Sequence, residues 1–329
     1  KVPGMSWKQY LYNSCKCGTL NIEVYTGNDT RERMEKCRQC GEILDQRRSE
    51  VFLVPSFGFE ADSRIVKPGL KKPEKTYTGE ISYVGYQNKI EPVRLTLNRA
   101  TIEVIFGHSD EMAVLNRAGF YVCAACGYTD LDEGRFTNTK ELDHHRPSGG
   151  KCVNKTLRKY ALGYRFETDV FQLRFINPEI TDMSQARSIL YGIMRGICSQ
   201  LNIEQDDISG CIQFFRNEDT GNGNYGLIFY DRTPGGAGHV KRLKDAAVLH
   251  GTLKQTLNLM NACDCGGSNM DSSCYGCLRT YYNQRYHDQL KRSYVIRFLE
   301  AILYDEIPAS DKEARIGRCI PSDSGFFVR

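Results

Sequence analysis

The chain has 329 residues and a formal net charge of +4, from 44 basic and 40 acidic side chains, and 40% of its residues are hydrophobic. This composition excludes wholesale disorder, and the apolar runs are too short to span a membrane. A charge so close to balance does not by itself indicate a nucleic-acid partner. The length predicts one large or two to three modest domains.

The 14 cysteines are clustered rather than scattered, and ten of them lie in three C-x-x-C pairs and two C-x-C pairs. Vicinal cysteines bridge poorly to each other but present two thiolates to one tetrahedral ion. The spacing therefore predicts metal binding in a reducing compartment, and we expect a cytoplasmic protein with no membrane partner. Because the chain opens on Lys1, we also expect a fragment of a longer protein or a trimmed chain.

Residues 1–50 hold the first cysteine group in a polar, turn-rich context that predicts a small zinc ribbon rather than a domain with its own core. Its C-x-x-C-G half has the form of a zinc knuckle, whereas its C-x-C half is tighter than usual. The competing interpretation is two pairs of unpaired thiols. The predicted ligands are Cys15, Cys17, Cys37 and Cys40.

Residues 51–118 form a β-rich region. The segments EISYVGYQ, EPVRLTLNR and ATIEVIFG alternate polar with apolar residues and are rich in β-branched and aromatic side chains. This pattern predicts a small antiparallel sheet.

Residues 119–155 form a second metal module. Cys123, Cys126 and Cys152 would supply three thiolates, and one of the adjacent His144 and His145 would supply the fourth ligand. Spacing alone leaves the choice between the two histidines open. In the competing interpretation both are loop residues.

Residues 156–329 form a mixed α/β domain, so the fold class as a whole is α+β and multi-domain. The predicted strands cover 165–175, 209–215 and 225–231, and the predicted helices cover 183–202, 237–260 and 289–304. A polar loop, GGSNMDSS, has nothing to pack in a core and joins the third cysteine group. That group is Cys263, Cys265, Cys274 and Cys277.

The three groups predict about three structural zinc ions, since none leaves an open coordination position for zinc hydrolase chemistry. Three cysteines stand outside the groups. Cys198 and Cys211 lie in apolar patterns that predict buried thiols, and Cys319 lies in a polar tail with no assignable role.

The stretch YDRTPGGAGHV follows an apolar run with a glycine turn and a helical pattern. It fits neither a Walker loop nor a dinucleotide fingerprint, and H-x-K followed by Asp245 is one residue short of a phosphodiesterase signature. Two interpretations stay open: the glycines allow close packing of helix and strand, or free amides receive an anion. Asp231 could equally accept those amides. The residues concerned are Asp231, Pro234, Gly235, Gly236 and Gly238.

A basic stretch interleaved with tyrosines follows the last cysteine group. It predicts contacts with nucleic-acid phosphates and bases, and the competing interpretation is a solvated helix face. The candidate nucleic-acid ligands are Arg279, Arg285, Lys291 and Arg292.

The order of these motifs resembles a known family. LIFYDRTPGGAGHVKRL followed by CDCGG…CYGCLRTYYNQRYHDQLKR is similar to the MZB domain, the C-terminal zinc-binding domain of bacterial superfamily-two helicases of the mitomycin-repair type. Such domains also occur in phage-defence proteins of the Druantia and DISARM kinds. The family pattern H-x-x-P-x-G-x-x-C falls on His144, Pro147, Gly149 and Cys152, so the resemblance implies His144 rather than His145 as the ligand.

The resemblance implies a DNA-processing role in phage defence or DNA repair, with DNA as a partner and ATP hydrolysed by motor lobes outside this chain. Neither a Walker A motif nor a DEAH-type box occurs in the sequence, which leaves enzymatic activity of the chain itself open. We expect a C-terminal helicase module whose motor lies in cis or in a separate subunit. The alternatives are a non-enzymatic scaffold subunit that binds a separate helicase, and a phosphodiesterase-type nuclease that depends on His239.

Overall fold

A computed structural model describes residues 8–16, 19–25, 34–38, 40–46, 49–54, 79–85, 92–131 and 137–304. Within them one mixed sheet of eleven strands carries three α-helices. The strands are β1 (Lys8–Ser14), β2 (Leu20–Val24), β3 (Glu50–Val54), β4 (Gly79–Gly85), β5 (Val93–Leu97), β6 (Ala100–Val122), β7 (Thr129–Leu131), β8 (Thr139–Glu141), β9 (Thr156–Asn177), β10 (Ile208–Arg216) and β11 (Gly223–Asp231). The helices are α1 (Met183–Leu201), α2 (Ala246–Ala262) and α3 (Arg292–Leu303).

Two long strands, β6 and β9, form the centre of the sheet and pair antiparallel along most of their length. The register shifts at three places, one of them the bulge between Gly107 and Asp110. Such shifts bend a strand and increase its twist, which lets strands of more than 20 residues wrap around a core. β9 also pairs antiparallel with β11 and parallel with β3.

The largest core lies between the sheet and the helices. Phe171, Leu173 and Phe175 of β9 point to the helical side, whereas Val170 belongs to a cluster on the other face. This alternation is the two-residue period of a strand with both faces covered. The α1 residues Ala186, Ile189, Leu190, Ile193 and Ile197 supply the matching helical stripe.

Helices α1 and α2 approach closely at Gly196. A Cβ added there would lie 1.9 Å from Thr256 Oγ1 and 2.9 Å from the Thr252 carbonyl oxygen. Only hydrogen fits at this contact, so Gly196 sets the distance between the two helices.

The sequence predictions differ from the structure in three elements. The helix predicted over 237–260 is a 3-10 helix, Val240–Lys244, followed by α2, because Asp245 has extended backbone and caps α2 through the N–H groups of Ala247 and Val248. The helix predicted over 289–304 is α3, Arg292–Leu303, but the sequence analysis missed the 3-10 helix Tyr281–Gln289 that precedes it. Finally, β1 and β2 lie in a segment that was predicted to lack a core, yet Tyr12, Leu20 and Ile22 pack on β6.

Candidate metal centres and the turn after strand β11

The structure brings together three groups of potential metal ligands, and within each group the ligand atoms lie within 4.8 Å of one another. One of these groups has three described members, because the predicted ligand Cys17 lies outside the described residues. The groups are Cys15, Cys37 and Cys40; Cys123, Cys126, His144 and Cys152; and Cys263, Cys265, Cys274 and Cys277.

The C-terminal group has the dimensions of a zinc site. Its Sγ atoms lie 3.6 Å apart in Cys263 and Cys274, and 3.8 Å apart in Cys265 and Cys277. A tetrahedral zinc ion with Zn–S bonds of about 2.3 Å holds its sulfurs about 3.8 Å apart. The four thiols therefore fit one zinc ion, with no coordination position left over.

The backbone of this group favours thiolates. The amide of Cys274 donates to Cys277 Sγ and the amide of Gly276 donates to Cys274 Sγ, both over 3.2 Å. Burial raises the pKa of the Cys274 thiol, but hydrogen bonds from Cys263 and from the amides of Gly276 and Cys277 outweigh it and lower the pKa to about 7. Part of the charge that a metal requires is thus stabilised before the ion binds.

Arg292 lies inside the protein beside this group, which corrects its prediction as a nucleic-acid ligand. Only 4% of the residue is exposed, and its guanidinium donates to the carbonyl oxygens of Met260 and Cys265, each over 3.4 Å. The side chain therefore joins the end of α2 to the cysteine loop and has no path to a phosphate on the surface.

The cysteine loop also caps helix α3. Carbonyl oxygens of Met270 and Ser272 accept the amides of Ser293 and Arg292, over 2.9 and 3.3 Å. Asp271 accepts from the Ser293 hydroxyl and pairs with Lys291 over 3.1 Å. The unsatisfied amides at the start of α3 are thus bound by the loop, so folding of the loop and docking of the helix are coupled.

The second group contains His144 rather than His145. The Nε2 of His144 lies 3.2 Å from Cys126 Sγ, and its Nδ1 lies 3.0 Å from the Leu142 carbonyl oxygen. Tyr128 stacks on the ring at a centroid distance of 4.6 Å, and His145 is exposed. A hydrogen bond from Nδ1 to a carbonyl leaves Nε2 as the lone-pair donor that zinc requires.

Hydrogen bonds favour the thiolate form of Cys123 in this group. Burial raises its pKa, but hydrogen bonds from the amides of Cys126 and Ala125 outweigh that effect and lower the pKa to about 6. The side-chain amide of Asn154 also donates to Cys123 Sγ, over 3.3 Å. Cys123 and Cys152 have their Sγ atoms 4.0 Å apart, close to the spacing on a zinc ion.

The N-terminal group has a similar asparagine. The side-chain amide of Asn21 donates to Cys37 Sγ over 3.5 Å, while its oxygen accepts the amide of Arg38 over 3.0 Å. The Sγ atoms of Cys15 and Cys40 lie 3.5 Å apart. The sequence analysis missed both asparagines, since Asn21 and Asn154 stand outside the cysteine spacing and only the fold places them beside sulfur.

The turn after β11 is organised by the buried carboxylate of Asp231. Its two oxygens accept the amides of Ala237, His239 and Val240, over 2.7, 3.1 and 3.0 Å. The amides that an anion would need are therefore already bound by a carboxylate within the chain. This arrangement favours the packing interpretation of the glycine turn over the anion-binding one.

Gly236 packs directly on a second buried carboxylate. A Cβ added to Gly236, whose φ is +84°, would lie 2.5 Å from the Asp169 carboxyl carbon. Asp169 accepts from Nδ1 of the exposed His108 over 2.5 Å. Sequence reasoning missed His108 and Asp169, because they are 61 residues apart and join only where the β6 bulge meets β9. Gly235 and Gly238 also have positive φ, with nothing near their absent Cβ atoms.

The other predicted nucleic-acid ligands differ in availability. Arg285 is exposed and lies over the Tyr286 ring at 4.6 Å. Arg279 is partly buried and donates to Ser273 Oγ over 3.0 Å. Lys291 is also partly buried and is paired with Asp271.

Two further arginines join this surface from elsewhere in the chain. Arg187 lies over Tyr286 at 4.2 Å and Arg232 over Tyr282 at 4.6 Å. We call the set of Arg187, Arg232, Arg285, Tyr282 and Tyr286 the arginine–tyrosine surface. No sequence pattern pointed to Arg187 or Arg232, since one lies on α1 and the other in the turn after β11.

Cys198 and Cys211 are buried thiols, as predicted. Burial raises the pKa of Cys198 to about 11 and that of Cys211 to about 12, so both are protonated at neutral pH. Cys319 lies outside the described residues.

The family model of the MZB domain, described as the MrfA Zn-binding domain, matches residues 189–278. This part of the chain is similar to the MZB domain. The match runs from α1 through the turn after β11 and α2 to the last cysteine of the C-terminal group. It confirms the resemblance that the motifs predict and, together with the four clustered thiols, supports zinc as the metal of this part of the chain.

The chain is also 25% identical over 302 residues to the Druantia protein DruE of Escherichia coli (strain UMEA 4076-1). That alignment covers 83% of this chain but 16% of DruE, so the chain spans about a sixth of the length of this relative. A solved structure, the DUF1998 helicase MrfA bound to DNA, aligns at a TM-score of 0.38 and 11% identity over 68% of this chain and 25% of MrfA. A likeness at that level carries no argument about function.

The family match and the clustered cysteines together indicate an α+β chain with a zinc-binding region similar to the MZB domain. The domain boundary predicted at 118 lies within strand β6, and the one predicted at 155 lies immediately before strand β9. No helix among the described residues is long and apolar enough to cross a membrane.

Proposed function

We propose that the chain is a zinc-braced module that positions DNA, or a partner protein, against an ATP-dependent helicase motor. One observation carries this proposal: the Cys263–Cys277 group lies within the MZB match, and its loop continues from α2 and binds the start of α3. α3 follows directly after the 3-10 helix that carries Tyr282, Arg285 and Tyr286 of the arginine–tyrosine surface. A rigid cysteine loop therefore fixes the position of that surface.

The metal in this proposal is zinc, at about three ions per chain. The ligands would be Cys263, Cys265, Cys274 and Cys277 at one site, Cys123, Cys126, His144 and Cys152 at the second, and Cys15, Cys37 and Cys40 with Cys17 at the third. When bound, zinc supplies a structural cross-link between segments distant in sequence. The sulfurs and the His144 Nε2 would hold the ion, and the amides that donate to sulfur would stabilise the thiolates.

The arginine–tyrosine surface supplies chemistry for DNA. Guanidinium groups contact phosphates, and exposed rings stack on unpaired bases. Tyr282 is 58% exposed, and Arg232 lies over its ring. Arg232 does pair with Asp206, over 3.1 Å, but that carboxylate is itself 72% exposed. Strongly solvated pairs of this kind contribute little energy, so a phosphate can displace the carboxylate.

The motor is proposed to lie outside this sequence, either in cis or in a separate subunit, in a phage-defence or DNA-repair system of the cytoplasm. The absence of phosphate-loop motifs from the 329 residues supports a motor outside this sequence. The likeness to part of a Druantia protein supports the defence setting.

Zinc content and DNA binding of the Arg285→Glu variant test the proposal. Arg285 is exposed, so we expect unchanged zinc content and stability but weaker binding to a fluorescent single-stranded DNA, with a salt slope about 1 to 2 smaller. The matched control is Lys254→Glu, an exposed cation on α2. Equal losses of affinity in the two variants would show that the effect comes from overall charge rather than from Arg285. No DNA binding by the unaltered chain would overturn the DNA part of the proposal.

A further inference from the structure

The second metal module ends in an exposed basic loop. Arg146, Lys151, Lys155 and Arg158 are exposed and flank the ligands His144 and Cys152. We call these four cations the basic tip. They lie before the MZB match, which begins at residue 189, and away from the basic stretch that the sequence analysis singled out.

The loop is held in shape by its backbone. His145 and Lys151 form an antiparallel bridge, Arg146 donates its amide to the Gly150 carbonyl over 2.8 Å, and the Cys152 amide donates to the His144 carbonyl over 3.0 Å. Gly149 and Gly150 have φ values of +93° and +82°, which allow the tight reversal. The two metal ligands at its base and this turn give the cations of the basic tip a fixed arrangement.

The charge of the whole chain is concentrated in this segment. Residues 137–160 contain six basic and two acidic side chains, a surplus of four that equals the net charge of +4 of the whole chain. The rest of the sequence is balanced. Zinc on three thiolates and a neutral imidazole adds a formal charge of about −1, so the segment stays strongly positive with the metal bound.

The acidic residues of the segment do not neutralise it. Asp143 lies 3.2 Å from Lys155 and 3.7 Å from Lys151, and these three side chains are more than half exposed. One carboxylate shared by two lysines leaves Arg146 and Arg158 as additional cations.

We propose that the basic tip binds the phosphodiester backbone of DNA, as a contact separate from the arginine–tyrosine surface. This inference rests on the proposed function. A protein interface of comparable size would present apolar residues at its centre, whereas Val153 is the one large hydrophobic exposed among the described residues 137–160. Clustered cations with little apolar surface fit a polyanion.

The two surfaces lie far apart along β9. The basic tip lies at the start of that strand, where β8 pairs with Thr156, whereas Val170 pairs with Tyr230 beside the turn that carries Arg232. A separation of 14 residues corresponds to roughly 45 Å of extended strand, shortened by the bulges. DNA that contacts both surfaces would therefore run along the module rather than touch it at one point.

The test is a charge-reversed chain, Arg146→Glu with Lys151→Glu, compared with Arg99→Glu with Lys254→Glu. The control pair is also exposed and changes the net charge equally. We expect the tip variant to keep the zinc content of the parent and to bind a fluorescent DNA duplex with a salt slope about 2 smaller, while the control changes little. Binding is measured by anisotropy across a series of salt concentrations.

The outcomes separate this inference from the proposed function. Unchanged affinity and slope in the tip variant, with Arg285→Glu still weakened, would overturn the tip and leave the proposed function standing. An equal change in the control pair would also overturn the tip. If only binding to a motor protein were lost, the tip would be a protein contact and the inference would be wrong. A parent chain that binds no DNA would overturn both this inference and the DNA part of the proposed function.

Discussion

The turn after β11 requires a residue without a side chain at position 236, because Gly236 packs directly against Asp169. Gly235 and Gly236 have nearly the same φ, +83° and +84°, but only Gly236 faces Asp169. Asp169 is 3% exposed and bound to His108, so it has no space to withdraw. Substitutions at these two neighbouring glycines therefore distinguish the free-energy cost of a left-handed backbone from that of a steric clash.

We expect Gly235→Ala to lower the free energy of unfolding by about 1 kcal/mol, the cost of a left-handed backbone. Gly236→Ala should add a clash worth about 1 to 3 kcal/mol and so lower it by about 2 to 4 kcal/mol. Denaturant unfolding of the two variants measures both values. Equal losses would mean that Asp169 moves aside without cost, and the contact would then not constrain the turn.

At the scale of elements, the cysteine loop, α2 and α3 behave as one unit because Arg292 joins them. A zinc ion on four thiolates carries a formal charge of about −2, and Arg292 places a buried cation beside that group. Residues that support metal ligands in this way change metal affinity about 10- to 100-fold when they are replaced. Arg292 therefore acts inside the protein, where it supports the C-terminal cysteine group.

We expect Arg292→Met to weaken zinc retention at the C-terminal site by about 10-fold or more, because the Cys265 carbonyl loses its donor and the thiolates lose a nearby cation. Arg297→Met is the matched control, since Arg297 is an exposed arginine on the same helix. Competition with a chromophoric chelator measures retention. Identical release from the two variants would show that Arg292 has no influence on the metal.

The sequence predicted these elements in part. The helix α1 and the strands β10 and β11 followed from periodicity alone, since their apolar residues recur at intervals of three to four or form short buried runs. The break at Asp245 was missed, although an aspartate followed by small residues is a capping signal. The burial of Arg292 could not be predicted, because its partners are carbonyl oxygens that only tertiary folding brings near.

At the scale of the whole molecule, β6 and β9 join segments that composition had separated. Each cysteine group is local in sequence, since its described members span at most 30 residues. The sheet does not follow them: Ala100, Ile102 and Val104 of β6 lie in the same core as α1, α2 and α3. Pairing between distant strands leaves no local pattern, so boundaries drawn from composition cut through a single core.

This shared core predicts how fragments behave. A fragment of residues 156–304 keeps the MZB match and the C-terminal cysteines but loses β6. This leaves one edge of β9 unpaired and removes the neighbours that β6 places beside Phe171, Leu173 and Phe175. We expect it to bind a hydrophobic dye and to unfold without a cooperative transition, whereas residues 92–304, which restore β6, should unfold cooperatively. Circular dichroism during heating, with zinc content measured on both fragments, makes the comparison. A cooperative transition of the shorter fragment at the temperature of the longer one would mean that the MZB region folds alone, and that the boundary near residue 156 is a true domain limit.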